Sequence, residues 1–235
     1  MTSLALEPRV AVPRPVASAR HAAVLVAILL LVALAGAASR PATHATAGRA
    51  AAALPVYASV LAMEWGLVWY VWRGGLRRTG TSIAALVRPA HSPAGVARDL
   101  ALGLGAWGAL WLLSSAWSAV TGERPDAVVT ALMPRGAIES AAWVAVSLSA
   151  GFCEELVFRG YLQRQLHAWT GRGWLAVVLQ AAVFGVAHGY QGVLPCAKIA
   201  LIGLLFGALA WRRGGLVPGM FAHALVDVLA GLARI

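Results

Sequence analysis

The apolar residues of this 235-residue chain fall into blocks of about 15 to 22, split by short Arg-rich pieces. That pattern leaves few folds open. A bilayer core about 30 Å thick is crossed by roughly 20 helical residues. Within it every backbone N–H and C=O must be paired inside the protein, so blocks of this length are helices. The expected fold is an all-α, polytopic transmembrane bundle of about seven spans, within a range of six to eight. They run roughly Ala22–Ser39, Ala51–Trp72, Leu100–Val120, Ile138–Leu162, Trp174–Ala187, Leu194–Trp211 and Val217–Leu232. Two weaker stretches, Thr81–Val87 and Ala127–Met133, are candidates for re-entrant or additional helices. The composition agrees, with 60% hydrophobic and 12% charged residues, about half the charged fraction of a soluble domain. No polar stretch is long enough to bury a core of its own. The chain divides into an N-terminal arm, 1–20, a set of helices without a signature, 21–135, and a C-terminal core, 136–235.

The net charge of +10 would suit nucleic acid, but its placement does not. Lys198 is the lone Lys among 19 basic residues, and the Arg residues sit mainly between apolar blocks. There they meet lipid headgroups and set topology. With the N-terminus inside, the inner segments hold Arg9, Arg14, Arg20, Arg73, Arg77, Arg78, Arg88, Arg98, Arg164, Arg172, Arg212 and Arg213. The outer ones hold Arg40, Arg49, Arg124, Arg135 and Arg234. Twelve against five places the N-terminus in the cytoplasm and the C-terminus outside. Richness in Ala, Gly, Leu and Arg matches a high-GC bacterial genome, hence an integral protein of the inner (plasma) membrane. Met1–Arg20 has the look of a signal-peptide n-region, yet further spans follow and the first helix reads as retained. Cys153 and Cys196 read as buried thiols rather than a disulfide. Many of the ten Trp residues stand near span ends, where they anchor helices at the interface.

Ionisable side chains inside a span cost roughly 2.5–3.5 kcal/mol each on insertion scales. Here they gather in the C-terminal half. Glu154, Glu155 and Arg159 lie in the fourth span, His188 ends the fifth, and His223 and Asp227 lie in the seventh. The first three spans contribute only Glu64, which stands beside Trp65 without a motif and reads as structural. The i,i+4 spacing puts Glu155 with Arg159, Phe184 with His188 and His223 with Asp227 on common helix faces. At about 1.5 Å per residue, Glu154, His188 and His223 lie about 15, 21 and 12 Å from the cytoplasmic edge. Each pair alone has a bland explanation: an ion pair locking helices, a capping His, an interhelical hydrogen bond. Two adjacent carboxylates and two His on three helices exceed what packing requires, and point to one shared polar centre.

At these residues the chain resembles the CPBP family, intramembrane proteases related to the eukaryotic CAAX prenyl endopeptidase and to bacteriocin self-immunity (Abi) proteins. The motifs are Glu154-Glu155-x-x-x-Arg159, Phe184-x-x-x-His188 and His223-x-x-x-Asp227, in that order. The run from Gly203 through Arg212 and Gly215 to Pro218 is also similar to the family's text, and the likeness covers about residues 140 to 232. It implies an intramembrane endopeptidase acting on a membrane-associated or lipidated protein or peptide. It further implies that Glu154 and His188 activate water while His223 and the residue at 227 support the oxyanion, with Glu155, Arg159 and Phe184 in support. Asp at 227 is notable, because an ionised carboxylate cannot donate to an oxyanion as Asn does. Asp227 is left to orient His223, to be protonated, or to bind metal. Zinc is an open cofactor: His188, His223 and Glu154 or Asp227 are suitable ligand types, but no compact His-Glu-x-x-His is present. The alternatives are a proton-coupled transporter, for which no internal repeat is visible, and a non-catalytic immunity or scaffold protein of the same fold. Oligomeric state and substrate identity are not written in these residues.

Overall fold

The structure, a computed structural model, describes residues 14–46, 53–88, 92–124 and 127–232. Among them the chain is a helical bundle without strands. The long elements are α1 (Ala19–Thr46), α2 (Ala53–Tyr70), α4 (Pro93–Thr121), α6 (Ala137–Glu154), α8 (Gly173–Ala187), α9 (Val193–Arg213) and α10 (Val217–Leu232). Short helices α3 (Ile83–Val87), α5 (Ala127–Ala131) and α7 (Arg164–Thr170) complete it. Polar residues set the breaks. Ser82 and Ser92 cap α3 and α4 by accepting from Ala85 N and Gly95 N, each at 3.1 Å. Gly171 ends α7 in the left-handed region (φ 64°), which turns the chain directly into α8.

Five helical runs among the described residues are long and apolar enough to cross a membrane. The other two expected spans, α8 and α10, have 15 and 16 residues. At about 1.5 Å per residue they reach only about 22–24 Å, short of the bilayer core. α8 still turns Trp174, Val178, Leu179 and Val186 outward, while Ala176, Val177, Ala181 and Phe184 are buried. The two weak stretches became the five-residue helices α3 and α5, far too short to span.

The fourth span is not uniform. α6 runs into a nine-residue π-helical segment, Glu155–Gln163, and then into α7, one continuous run from Ala137 to Thr170. Every residue of the π segment is buried. Backbone bonds from i to i+5 widen the turn, a distortion that recurs at functional sites. This run is the axis of the molecule. α2 and α10 pack on α6, and α8 and α9 pack on each other and on the π segment.

Small residues permit these approaches, as in membrane helix pairs generally. A Cβ on Gly151 would meet Ala224 Cβ, Ala224 N and Met220 O, all at 2.8 Å, so α6 touches the backbone of α10 there. Trp143 Nε1 donates to Asp227 O at 2.8 Å and fixes the same pair. Of the N-terminal arm, residues 1–13 lie outside the described residues. Val16 and Ala17 are buried, and their N–H groups donate to Gln165 Oε1 at 2.9 and 3.0 Å. The N-terminal helices are thereby tied to the C-terminal core. Gly151→Val should force α6 and α10 apart and cost about 1–3 kcal/mol. Thermal unfolding of the purified protein checks this; an unchanged midpoint would contradict the close packing.

Candidate active site

Glu154 is the last residue of α6 and Glu155 the first of the π segment, near the middle of the Ala137–Thr170 run. Glu155 is 1% exposed and carries two bonds on one oxygen. Its Oε1 accepts from Arg159 Nη1 at 2.9 Å and from His223 Nδ1 at 3.1 Å. The i,i+4 ion pair expected from sequence is therefore formed, and α10 joins it.

Aromatic rings enclose the ions. The Arg159 guanidinium lies 4.2 Å from the Phe184 ring centre, 5.4 Å from Phe206 and 6.0 Å from Phe158. Cations over aromatic faces gain about 2 kcal/mol or more when desolvated. Phe206 also stacks on His223, with centroids 5.4 Å apart and planes 18° from parallel. Phe184 contributes through its backbone as well: its carbonyl holds His188 Nδ1 at 2.8 Å. This leaves His188 Nε2 turned to Glu154 Oε2, 4.0 Å away. His188 follows the end of α8, where its φ of −94° and ψ of 20° lie outside the helix, so the ring swings back over the last turn.

His223 Nε2 faces the same oxygen. It stands 3.8 Å from Glu154 Oε2 and 3.5 Å from Asp227 Oδ2. All seven residues singled out in the sequence, Glu154, Glu155, Arg159, Phe184, His188, His223 and Asp227, thus converge from α6, the π segment, α8 and α10. Glu154 Oε2 is buried and has no hydrogen-bond partner, although both imidazoles face it. Gaps of 3.8 and 4.0 Å are too long for direct bonds. Asp227 differs from the rest: its side chain is 37% exposed, at the rim of the centre.

Two members have no signal in the sequence motifs. Phe206 lies in a run read only as connecting text. Glu64, read as structural, is 3% exposed on α2 and within electrostatic reach of Glu154, His223 and Asp227. Its Oε2 has no hydrogen-bond partner. Trp65 beside it donates to Ser149 Oγ at 2.9 Å and stacks on Phe152, two residues before Glu154. Depth was the available clue, since Glu64 is the lone carboxylate of its span.

The zinc reading asks for three donors around one point. Two imidazoles and a carboxylate are apt donors, and both Nδ1 atoms are held from behind, as in zinc-binding His. Among the described residues, no three His, Cys, Asp or Glu side chains are grouped to hold a metal ion. No step is derived through one.

Parts of the chain have known relatives. Residues 137–229 match the family model described as Rce1-like, type II CAAX prenyl endopeptidase Rce1-like. Over this stretch, less than half of the chain, the protein is similar to that family. An Escherichia coli protein named "Uncharacterized 24.3 kDa protein" is 34% identical over 74 residues, 30% of this chain. The match spans about a third (33%) of that relative's length. No solved structure matches. The Rce1-like segment contains Glu154, Glu155, Arg159, Phe184, His188, Phe206, His223 and Asp227, and ends before α10 does. Glu64 lies outside it.

Within the Rce1-like segment, Arg159→Met should leave Glu155 charged and short of its partner. Breaking a buried pair costs about 3–5 kcal/mol. Adding Glu155→Gln should recover most of that loss in thermal unfolding. A double variant as unstable as the sum of the singles would refute the pairing.

Proposed function

We propose that this protein is an intramembrane endopeptidase, which hydrolyses a peptide bond of a membrane-associated or lipidated protein. The observation that carries the reading is the buried, unpartnered Glu154 Oε2 with the Nε2 atoms of His188 and His223 facing it at 4.0 and 3.8 Å. Such gaps suit a water held about 2.8 Å from each of two partners. Glu154 takes a proton from that water, and the oxygen attacks the scissile carbonyl. At 22% exposure the Glu154 side chain is screened from bulk water and still reachable.

His188 works opposite Glu154. With Nδ1–H donated to Phe184 O, its Nε2 accepts a hydrogen bond from the water and fixes its position. His223 sits where negative charge develops. Its Nδ1–H is held by Glu155, and a protonated Nε2 can donate to the oxyanion. Asp227 cannot donate when ionised. Its Oδ2 lies 3.5 Å from His223 Nε2, so its role is to hold that ring and favour the proton on it. The proton on Glu154 then passes to the leaving amine, and the carboxylate is restored. The Rce1-like assignment of residues 137–229 supports the same reaction class.

Glu154→Gln and His188→Ala should each lower cleavage by about 10²–10⁴-fold, the range for a lost general base or its partner. The thermal midpoint should barely move, since neither side chain carries the ion pair of Arg159. Comparing membrane proteomes of cells making wild type or Glu154→Gln supplies the substrate. An uncleaved membrane or lipidated protein should accumulate with the variant. Identical proteomes, or full cleavage by either variant, would reject the mechanism.

A further inference from the structure

A second polar site lies at the Arg-rich end of the bundle, away from Glu154. A cavity of about 270 Å³ opens between α3, the π segment with α7, the start of α8 and the turn from α9 to α10. Its basic lining is the guanidinium groups of Arg88, Arg159 and Arg164 with the imidazole of His167 beside them, and no Asp or Glu is among the lining residues. Arg88 and Arg164 lie within electrostatic reach of each other across it. Like charges facing a partly enclosed space repel, and the arrangement persists at least cost when an anion lies between them.

The floor makes the same demand. Arg159 is 1% exposed, and only its Nη1 is used by Glu155. Its Nε and Nη2 are buried without an acceptor. A guanidinium short of two acceptors is costly to bury. Gln163 beside it donates to Gly207 O at 3.0 Å, and its Oε1 is buried without a hydrogen-bond partner. From the side comes α8, whose first residue, Gly173, lines the cavity. The first-turn N–H groups of a 15-residue helix have no helical acceptor and favour negative charge. The mouth is accessible through Arg88, which is exposed, while Arg164 and His167 are half-buried.

We propose that this cavity binds a phosphate group, carried by a lipid headgroup or by a small soluble anion, with Arg88, Arg164 and His167 at its mouth and Arg159 at its floor. A tetrahedral oxyanion offers acceptors in several directions, and guanidinium groups match it in pairs. Neither Glu154 nor His188 lines the cavity, so binding is read without reference to cleavage.

The test uses the full-length protein in phosphate-free neutral detergent. Inorganic phosphate is titrated against chloride at matched ionic strength, and phosphatidic acid against phosphatidylcholine. Thermal midpoint and native mass spectrometry are read for both. Saturable one-to-one binding is expected, weakened at least tenfold in Arg164→Gln and in Arg88→Gln. Because Arg88 is at the exposed mouth, its variant tests binding even if Arg164→Gln unfolds. Saturation by phosphate assigns a soluble anion; saturation by phosphatidic acid alone assigns a headgroup. No one-to-one binding above the chloride and phosphatidylcholine controls would overturn the site, as would Arg88→Gln and Arg164→Gln binding like wild type.

Discussion

The buried charge set around Glu155 is the constraint on which the rest of this bundle depends. A carboxylate and a guanidinium in an apolar interior each lose several kcal/mol of hydration. That loss is tolerable only where partners are fixed to within a few tenths of an ångström. Here the partners come from different helices. Arg159 and His223 meet on one oxygen, and Phe184 and Phe206 close over the guanidinium. Four elements are thereby held at one point. Packing between apolar helices in lipid has no hydrophobic bias to choose one arrangement over another. The ionic set supplies the specificity that the apolar surfaces lack.

That requirement reaches into backbone choices. Gly151 lets α6 approach the α10 backbone, and without that approach His223 would not reach Glu155. Gly219 plays the matching part on α10, where a Cβ would stand 3.0 Å from Glu155 Oε2. The π segment begins at Glu155 itself, so Glu154 and Glu155 straddle the change of helix type. Glu154 faces the Nε2 atoms of His188 and His223, and Glu155 faces Arg159 and the Nδ1 of His223. Adjacent residues on an unbroken helix point about 100° apart, which already separates them. All of Glu155–Gln163 lie against neighbours, where an amphipathic helix at the edge of a bundle turns one face outward.

Much of this was legible beforehand, for a definite reason. Charges in an apolar block are rare and costly, so Glu154, Glu155, Arg159, His188, His223 and Asp227 stood out, and i,i+4 spacing paired them correctly. Span number was legible to the extent that hydropathy reports length. The bounds expected for α8 and α10, Trp174–Ala187 and Val217–Leu232, nearly match the helices found, but an apolar residue facing protein reads the same as one facing lipid. Phe206 was illegible for that same reason: an aromatic stacking on an imidazole cannot be told from a core residue. Glu64 was visible as a misplaced charge but had no partner in its own helix. Its neighbours Glu154, His223 and Asp227 lie 90 or more positions away, and only the fold brings them together.

Arg159 gains a wider meaning from its position. Its Nη1 belongs to the Glu155–His223 set, while its Nε and Nη2 are buried in a side chain that also lines the basic cavity. One planar guanidinium therefore stands between two polar regions of the bundle. A lysine could not replace it, since a point charge has no fork with which to serve both. The surrounding phenylalanines enclose it, with Phe184, Phe206 and Phe158 ring centres 4.2, 5.4 and 6.0 Å from the guanidinium. The guanidinium carries five N–H donors, and the pair with Glu155 engages only its Nη1.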